Sequence, residues 1–402
     1  MTSLADIIEK QEQEYQAPKT RVAILGATGS IGTQALDVCK KHADKLEVVA
    51  LTCNSHVEEV VRSARQFNVA RIAIADTNRK DDPALANLPD TCEVSFGFNA
   101  INEVALQDDV DVVLVALVGA VGMWATAAAL KANKRVALAN KESLVVAGDI
   151  IMPLAKHDQL IPVDSEHSAI FQCYQGENPK KAHNIWLTCS GGPFFGMPRN
   201  RLKHMTVENA LSHPTWSMGN KVTIDSSTLM NKGLECIEAH HLFDVPMDFI
   251  KVLIQPQSKI HSMVEYDDGS VIAHLGTSDM RIPIQYSFSY PDRWETPCER
   301  TDFRNIGKLD FGEPDLNVFR CLQLAYDAGN AGGTLPAVMN AANEVAVEAF
   351  LNKRCRLTDI DYVVAQVMDK HDTVACESIG QLWEIDQASR ALAEKILNDK
   401  VR

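Results

Sequence analysis

Asp164 and Glu166 stand two residues apart in Pro162-Val163-Asp164-Ser165-Glu166-His167, where an apolar run ends. In an extended strand, residues i and i+2 point to the same side, so the two carboxylates would aim at one spot. Carboxylates held that close repel unless a proton or a cation lies between them. Oxygen-only ligation of this kind suits a hard divalent ion, Mg2+ or Mn2+, better than zinc. Alone, an Asp-x-Glu in a loop is ordinary solvated surface. A second segment changes that balance. Asp225-Ser226-Ser227-Thr228 is read as a helix start with capping hydroxyls. On the helix beyond it Asn231 and Glu235 share a face and Lys232 flanks them. Three polar groups on a helix edge are usually solvated. Hydroxyls at a helix N-terminus together with an Asn and a Lys, however, make a phosphate clamp, and Glu235 then offers a third oxygen ligand beside Asp164 and Glu166.

Asn140, Lys141 and Glu142 close a short apolar run at 135–139. A lone Lys-Glu pair is normally a surface ion pair, but the carboxyl end of a parallel strand is where ligands of such sheets bind. Ser190 lies in Cys189-Ser190-Gly191-Gly192-Pro193, a small glycine-rich turn suited to an oxyanion or phosphate. The loop Ser212-His213-Pro214-Thr215-Trp216-Ser217-Met218-Gly219 is bounded by Pro and Gly. It is either packed by its own Trp216 or a lid that closes on substrate. Residues 251–275 read as strands with a hairpin turn at Asp268-Gly269. His261 and His274 within them are expected to be packing histidines.

These groups need a scaffold. Residues 21–25 are a buried strand that runs into Gly26-Ala27-Thr28-Gly29-Ser30-Ile31-Gly32, and a helical pattern follows through Leu36, Val38 and Cys39. Strand, glycine turn and helix start together form a pyrophosphate site, where backbone and helix N–H groups meet the negative charge. The spacing is G-x-x-G-x-x-G rather than G-x-G-x-x-G, so a plain glycine turn is the competing reading. Strands at 46–51, 70–75, 111–116 and 135–139, alternating with helices such as 57–66, predict a parallel, doubly wound sheet. From Glu313 the pattern is helical, at 317–327, 336–351, 359–370 and 383–398. No chemistry is read in that part.

Composition bounds the function class. At 402 residues the chain has length for two or three domains. Its net charge of -14 disfavours nucleic acid or an anionic membrane as the main partner, so an anionic substrate must be held by local cations and N–H groups. No apolar stretch is long enough to span a membrane, and Met1 to Gln16 contain no hydrophobic secretion segment. The ten Cys residues form no Cys-x-x-Cys pair, which fits reduced thiols and a cytoplasmic location.

With these segments assembled, the chain resembles the 1-deoxy-D-xylulose 5-phosphate reductoisomerase family. The resemblance is carried by Gly26 to Gly32, by Ala137-Leu-Ala-Asn-Lys-Glu-Ser143 and by Val163-Asp-Ser-Glu-His167. Ser190-Gly-Gly-Pro-Phe194, His213-Pro-Thr-Trp-Ser-Met-Gly219 and Met230-Asn-Lys-Gly-Leu-Glu235 carry the rest. The resemblance implies an NADPH-dependent homodimer of the non-mevalonate isoprenoid pathway. It would rearrange and reduce 1-deoxy-D-xylulose 5-phosphate to 2-C-methyl-D-erythritol 4-phosphate with Mn2+ or Mg2+, Co2+ being a further candidate. It implies metal ligation by Asp164, Glu166 and Glu235, which with Lys141 form the catalytic set. Substrate contacts fall on Lys141, Ser165, Glu166, Ser190, His213, Trp216, Ser226, Asn231, Lys232 and Glu235. NADPH contacts fall on Thr28, Gly29, Ser30, Ile31, Asn140, Glu142 and Gly219. The expected fold is α/β: a Rossmann-like NADPH-binding domain at 19–163, an α+β catalytic domain with metal site and lid at 164–310, and a helical domain at 311–402.

Two rivals stand beside this. A phosphorylating semialdehyde dehydrogenase shares the Gly-Ala-Thr-Gly turn and would use a nucleophile such as Cys189. A non-catalytic NADPH sensor would leave the carboxylate set unexplained. One departure from the family pattern is visible after the second strand, where the chain reads Thr52-Cys53-Asn54-Ser55-His56. It has no acid there for an NAD ribose, which favours NADPH. It also lacks the Lys or Arg that many family members carry, leaving Asn54, Ser55 and His56 to meet the 2'-phosphate.

Overall fold

The computed structural model describes residues 18–213, 216 and 218–401; residues 1–17, 402 and three positions of the 212–220 loop lie outside the described residues. Seven strands form one parallel sheet: β1 (Thr20–Leu25), β2 (Leu46–Cys53), β3 (Arg71–Ile74), β4 (Glu93–Phe96), β5 (Val112–Val115), β6 (Arg135–Leu138) and β7 (Leu160–Pro162). Their order is β4-β3-β2-β1-β5-β6-β7. Val22 to Leu25 and Val112 to Val115 are buried on both faces, which is why these strands read as continuous apolar runs. The order reverses direction between β1 and β5, the switch point at which such sheets bind ligands. Gly26 turns there with φ +89°, and a Cβ on it would lie 2.5 Å from the Ala116 carbonyl oxygen. Only glycine fits. β4 carries no strand signal of its own in the sequence, and β7 is the short end of the apolar run before Asp164.

A second sheet contains β8 (Ala182–Cys189), β9 (Ile250–Ile254), β10 (Ile260–Tyr266) and β11 (Val271–Leu275) in the order β11-β10-β8-β9. The β10–β11 turn has Gly269 at φ +81°, as the Asp-Gly signal predicts. Four helices end the described chain: Arg320–Ala331, Leu335–Leu351, Leu357–Met368 and Ile379–Val401. They share a core with the helix Met230–Phe243, in which Leu234 and Ile237 are buried with Leu322, Ala325 and Val338. Gly233 makes that packing close, because a Cβ there would meet the Ala325 Cβ at 2.3 Å. The α/β class and the helical C-terminal part agree with expectation. Among the described residues no helix is long and apolar enough to cross a membrane, and all ten cysteines are free thiols.

Two local readings need correction. Asp164 and Glu166 are not strand neighbours: β7 stops at Pro162, Asp164 is the N-cap residue (φ -53°, ψ 135°) and Glu166 lies in the first turn of the helix Ser165–Cys173. Acidic residues favour that position because they complement the helix dipole. Asp225 to Thr228 are not themselves the first turn of a helix: they end one, Asn220–Thr228, and the helix that carries Asn231, Lys232 and Glu235 starts just beyond them at Met230. Ser227 and Thr228 turn their hydroxyls back to the Ile224 carbonyl (2.7 and 3.3 Å), and Thr228 Oγ1 also accepts from the Met230 N–H (3.3 Å) that opens the next helix.

Candidate active site

Leu229 separates two helices in the left-handed conformation, φ +59°. A branched residue there costs on the order of 1–3 kcal/mol and persists where the surroundings enforce it. The bend starts the helix Met230–Phe243 so that Asn231, Lys232 and Glu235 face the first turn of Ser165–Cys173. One oxygen each of Asp164, Glu166 and Glu235 then lie within 4.8 Å of one another. The donor set is three carboxylates with no sulfur, as Mg2+ or Mn2+ requires, so the residues fit a divalent ion.

Two buried ammonium groups balance that charge. Lys141 Nζ lies 2.8 Å from Asp164 Oδ2 and 3.1 Å from Glu235 Oε1, and donates to Asn231 Oδ1 at 2.7 Å. Lys232 Nζ donates to Thr188 O at 2.6 Å, to Glu166 Oε1 at 3.1 Å and to Glu235 Oε2. Burial opposes the charge on Lys141, yet Asp164 and Glu235 outweigh it and hold this ammonium well above its usual pKa. Burial and the nearby Glu235 charge push Glu166 up to about 7, the opposite of what a cation would do. His167, fully buried, bonds the Glu235 carbonyl through Nε2 at 2.9 Å and lies 3.4 Å from Glu238 on its other side. It therefore braces the turn that carries Glu235. Ser165 donates to Glu166 Oε2 at 2.5 Å.

Ser190 and Ser226 are brought together by Gly192, whose φ is +67° and whose Cβ would sit 2.7 Å from the Ser226 carbonyl oxygen. His213 Nδ1 accepts from the Trp216 backbone N–H at 2.9 Å, so Nε2 carries the ring proton and donates to Ser190 Oγ at 3.1 Å. Burial lowers the His213 pKa, in keeping with this neutral tautomer. Ser190 Oγ also accepts from Gly192 N–H at 3.1 Å, leaving its own proton for a ligand oxygen. Ser226 thus lies at the end of one helix, while Asn231 and Lys232 lie in the first turn of the next.

On the sheet side, Gly29 is the N-cap of the helix Ser30–Lys41 and no side chain caps that terminus. Gly32 admits the turn, since a Cβ there would fall 2.3 Å from the Gly26 carbonyl oxygen. Thr28 is half-buried in the same turn. The Ala27 and Gly26 N–H groups bond Thr52 O and Oγ1 (2.8 and 3.0 Å), which sets Asn54, Ser55 and His56 beside the glycine turn at the end of β2. Asn140 is buried and bonds the Leu117 and Gly119 carbonyls and Glu142, so it holds the loop after β5.

One cavity of about 680 Å³ joins both sides, a size that accommodates a small-molecule site. Its wall includes Gly29, Ser30, Ile31, Lys141, Glu142 and Gly219, the carboxylate cluster with Ser165, and Ser190, His213, Trp216, Ser226, Asn231 and Lys232. Thr28, Asn54, Ser55, His56 and Asn140 are not part of that wall. His261, read as packing, does line it beside Trp216, with ring centroids 6.3 Å apart. Lys221 and Asp225 were missed as cavity residues; their i,i+4 opposite charges were the available signal. Cys189 lines the wall too, but burial pushes its thiol up to about 11. A protonated thiol is a poor nucleophile, which disfavours the dehydrogenase rival.

A doubly wound sheet whose glycine turn opens onto the same cavity as a carboxylate–lysine cluster is the frame of a nucleotide-dependent, metal-assisted oxidoreductase. Three family profiles match: "1-deoxy-D-xylulose 5-phosphate reductoisomerase" over residues 22–148, its C-terminal domain over 160–243, and "DXP reductoisomerase C-terminal domain" over 275–392. A 1-deoxy-D-xylulose 5-phosphate reductoisomerase of Clostridium kluyveri is 46% identical over 372 residues, spanning 91% of this chain and 96% of its own. One of Bacillus anthracis is also 46% identical, with 92% and 97% covered. The structure of the Zymomonas mobilis reductoisomerase in complex with NADPH superposes with a TM-score of 0.87 at 42% identity, covering 94% of this chain and 99% of that one. A DOX-P reductoisomerase in complex with NADPH, fosmidomycin and magnesium gives 0.87 at 39%, covering 94% and 98%. The chain belongs to the 1-deoxy-D-xylulose 5-phosphate reductoisomerase family.

Proposed function

We propose that this chain rearranges and reduces 1-deoxy-D-xylulose 5-phosphate to 2-C-methyl-D-erythritol 4-phosphate, with NADPH and Mn2+ or Mg2+. One observation carries the residue assignment: Asp164, Glu166 and Glu235 converge, with Lys141 and Lys232, in the cavity that also receives the glycine turn. NADPH and magnesium in the similar structures support it. Bound here, the divalent ion supplies Lewis-acid stabilisation of oxygen charge and the nicotinamide supplies hydride. Asp164, Glu166 and Glu235 hold the ion. Lys141 keeps its proton at Nζ and acts as a donor to charge developing on a substrate oxygen, not as a base. Ser165 and Asn231 orient the substrate's polar groups. Ser190, Ser226, His213, Asn231 and Lys232 take its phosphate, and Trp216 with the 212–220 loop excludes water. Gly29, Ser30, Ile31, Thr28, Asn140, Glu142 and Gly219 serve the cofactor. The protein works as a cytoplasmic homodimer, and light scattering that finds only monomer would remove that element.

The decisive assay follows NADPH absorbance with 1-deoxy-D-xylulose 5-phosphate. Oxidation should require a divalent ion, stop with EDTA and return with Mn2+ or Mg2+, while a thiol alkylator leaves it intact. Metal-independent turnover abolished by alkylation would support the Cys189 rival instead.

Cofactor preference gives a second test. Asn54 and His56 are exposed beside the turn, and Ser55 is half-buried. A neutral donor to phosphate is worth roughly half a charge-assisted one, so NADPH should be preferred over NADH by a modest margin. Ser55→Lys should widen the NADPH/NADH ratio of kcat/KM by about tenfold, a charge-assisted bond contributing roughly 1.5–3 kcal/mol. An unchanged ratio would mean the 2'-phosphate is read elsewhere, by Arg62 or Arg79; Arg79 already lies 3.5 Å from Asp76.

A further inference from the structure

Lys221 opens the helix Asn220–Thr228, two residues beyond Gly219. Its Nζ lies 2.7 Å from Glu142 Oε1 and 2.9 Å from Asp225 Oδ2, and all three side chains are mostly buried. The pair ties together two parts of the cavity wall. Glu142 begins the helix after β6, and its other oxygen accepts from Asn140 at 2.8 Å. Asp225 Oδ1 accepts from Asn343 at 2.8 Å, on the C-terminal helix Leu335–Leu351. The next residue on that helix, Glu344, is bonded by Asn340 and Arg390, and its carboxylate lies 3.2 Å from where a Cβ on Gly119 would stand. The C-terminal helices, in which the sequence reading found no chemistry, therefore complete the cage around this lysine.

A purely structural ion pair is the plain alternative, but buried pairs add little net stability against apolar residues of the same size. Lys221, Glu142 and Asp225 all face the cavity. The ammonium joins the first residues after the 212–220 loop to a carboxylate on the cofactor side. We propose that Lys221 is a positioning residue for the nicotinamide cofactor. It fixes the Glu142 carboxylate and the start of the helix Asn220–Thr228 in one geometry for the cofactor. This rests on the NADPH reading above.

The test is a fluorescence titration of NADPH, without metal or sugar phosphate, on wild type, Lys221→Met, Lys221→Arg, Glu142→Gln and the Lys221→Met/Glu142→Gln double variant. Neighbours in one ion-pair network couple strongly, so Lys221→Met should weaken NADPH binding by about tenfold and the double variant by no more than that. Lys221→Arg should recover most of the affinity. In turnover the KM for NADPH should rise more than kcat falls. Wild-type affinity in Lys221→Met together with a lowered Tm makes the pair structural and overturns the proposal. If Lys221→Met does not fold, wild-type affinity in Lys221→Arg and Glu142→Gln alike overturns it. A wild-type protein that does not bind NADPH would instead sink the cofactor reading itself.

Discussion

Glu235→Gln is expected to lower kcat/KM by about a thousandfold, because removing a directly coordinating charge from a Lewis-acid site forfeits several kcal/mol of transition-state stabilisation. NADPH affinity should stay near that of wild type, since the side-chain partners of Glu235 are Lys141, Asn231 and Lys232 and none belongs to the glycine turn. The geometry makes the effect specific. Glu235 is buried and accepts from Lys141, Lys232 and Asn231 at once. The isosteric amide keeps the volume but offers one acceptor oxygen where two faced cations, and its NH2 group opposes an ammonium. A part of the loss will therefore appear as a lowered Tm, the cost of a buried charge losing its partner. Raising Mn2+ should restore only a fraction of the rate. Near wild-type turnover at ordinary Mn2+ concentrations would sink the assignment of Glu235 to the metal.

How much of this was visible beforehand depended on whether a residue's role was local. Gly26, Gly29 and Gly32 were legible as a motif of seven residues, and the requirement at Gly32 is local, since a Cβ there meets the Gly26 and Ala27 backbone; the one at Gly26 is not, because its Cβ would meet the Ala116 carbonyl on β5. Asp164 and Glu166 were legible as a pair, but the convergence arises from an N-cap and a first helical turn, not from strand alternation. Periodicity cannot tell these apart over three residues. Asp225 to Thr228 were legible only in part, since Ser227 and Thr228 bond backward at the end of one helix while Thr228 also accepts from the N–H that opens the next. For Lys221 the i,i+4 pairing with Asp225 was the one local signal, and its place on the cavity wall was hidden because its other partner, Glu142, is 79 residues away. Asn343 and Glu344 were lost to the same distance. A helix that packs apolar residues on most sides gives no sequence signal for the two polar side chains it turns toward a site.

Trp216→Ala should cut kcat/KM by about a hundredfold while leaving the fold nearly unchanged, if the loop's task is to exclude water from a charged reaction centre. Trp216 is half-buried, lines the cavity and packs its indole against His261; Pro214, Thr215 and Ser217 beside it lie outside the described residues. Its backbone N–H sets the His213 tautomer, and a side-chain truncation leaves that bond in place. The loss should therefore fall on the apolar cover and not on the hydrogen bonds to Ser190. Two readings separate cleanly. A core tryptophan cut to alanine costs about 3–5 kcal/mol and a correspondingly lower Tm, with kinetics preserved in whatever remains folded. A covering tryptophan costs little stability, because the free protein already exposes part of it to water, and its removal weakens every electrostatic contact beneath it. Unchanged kinetics with a large fall in Tm would return Trp216 to the core and leave the cavity without a cover.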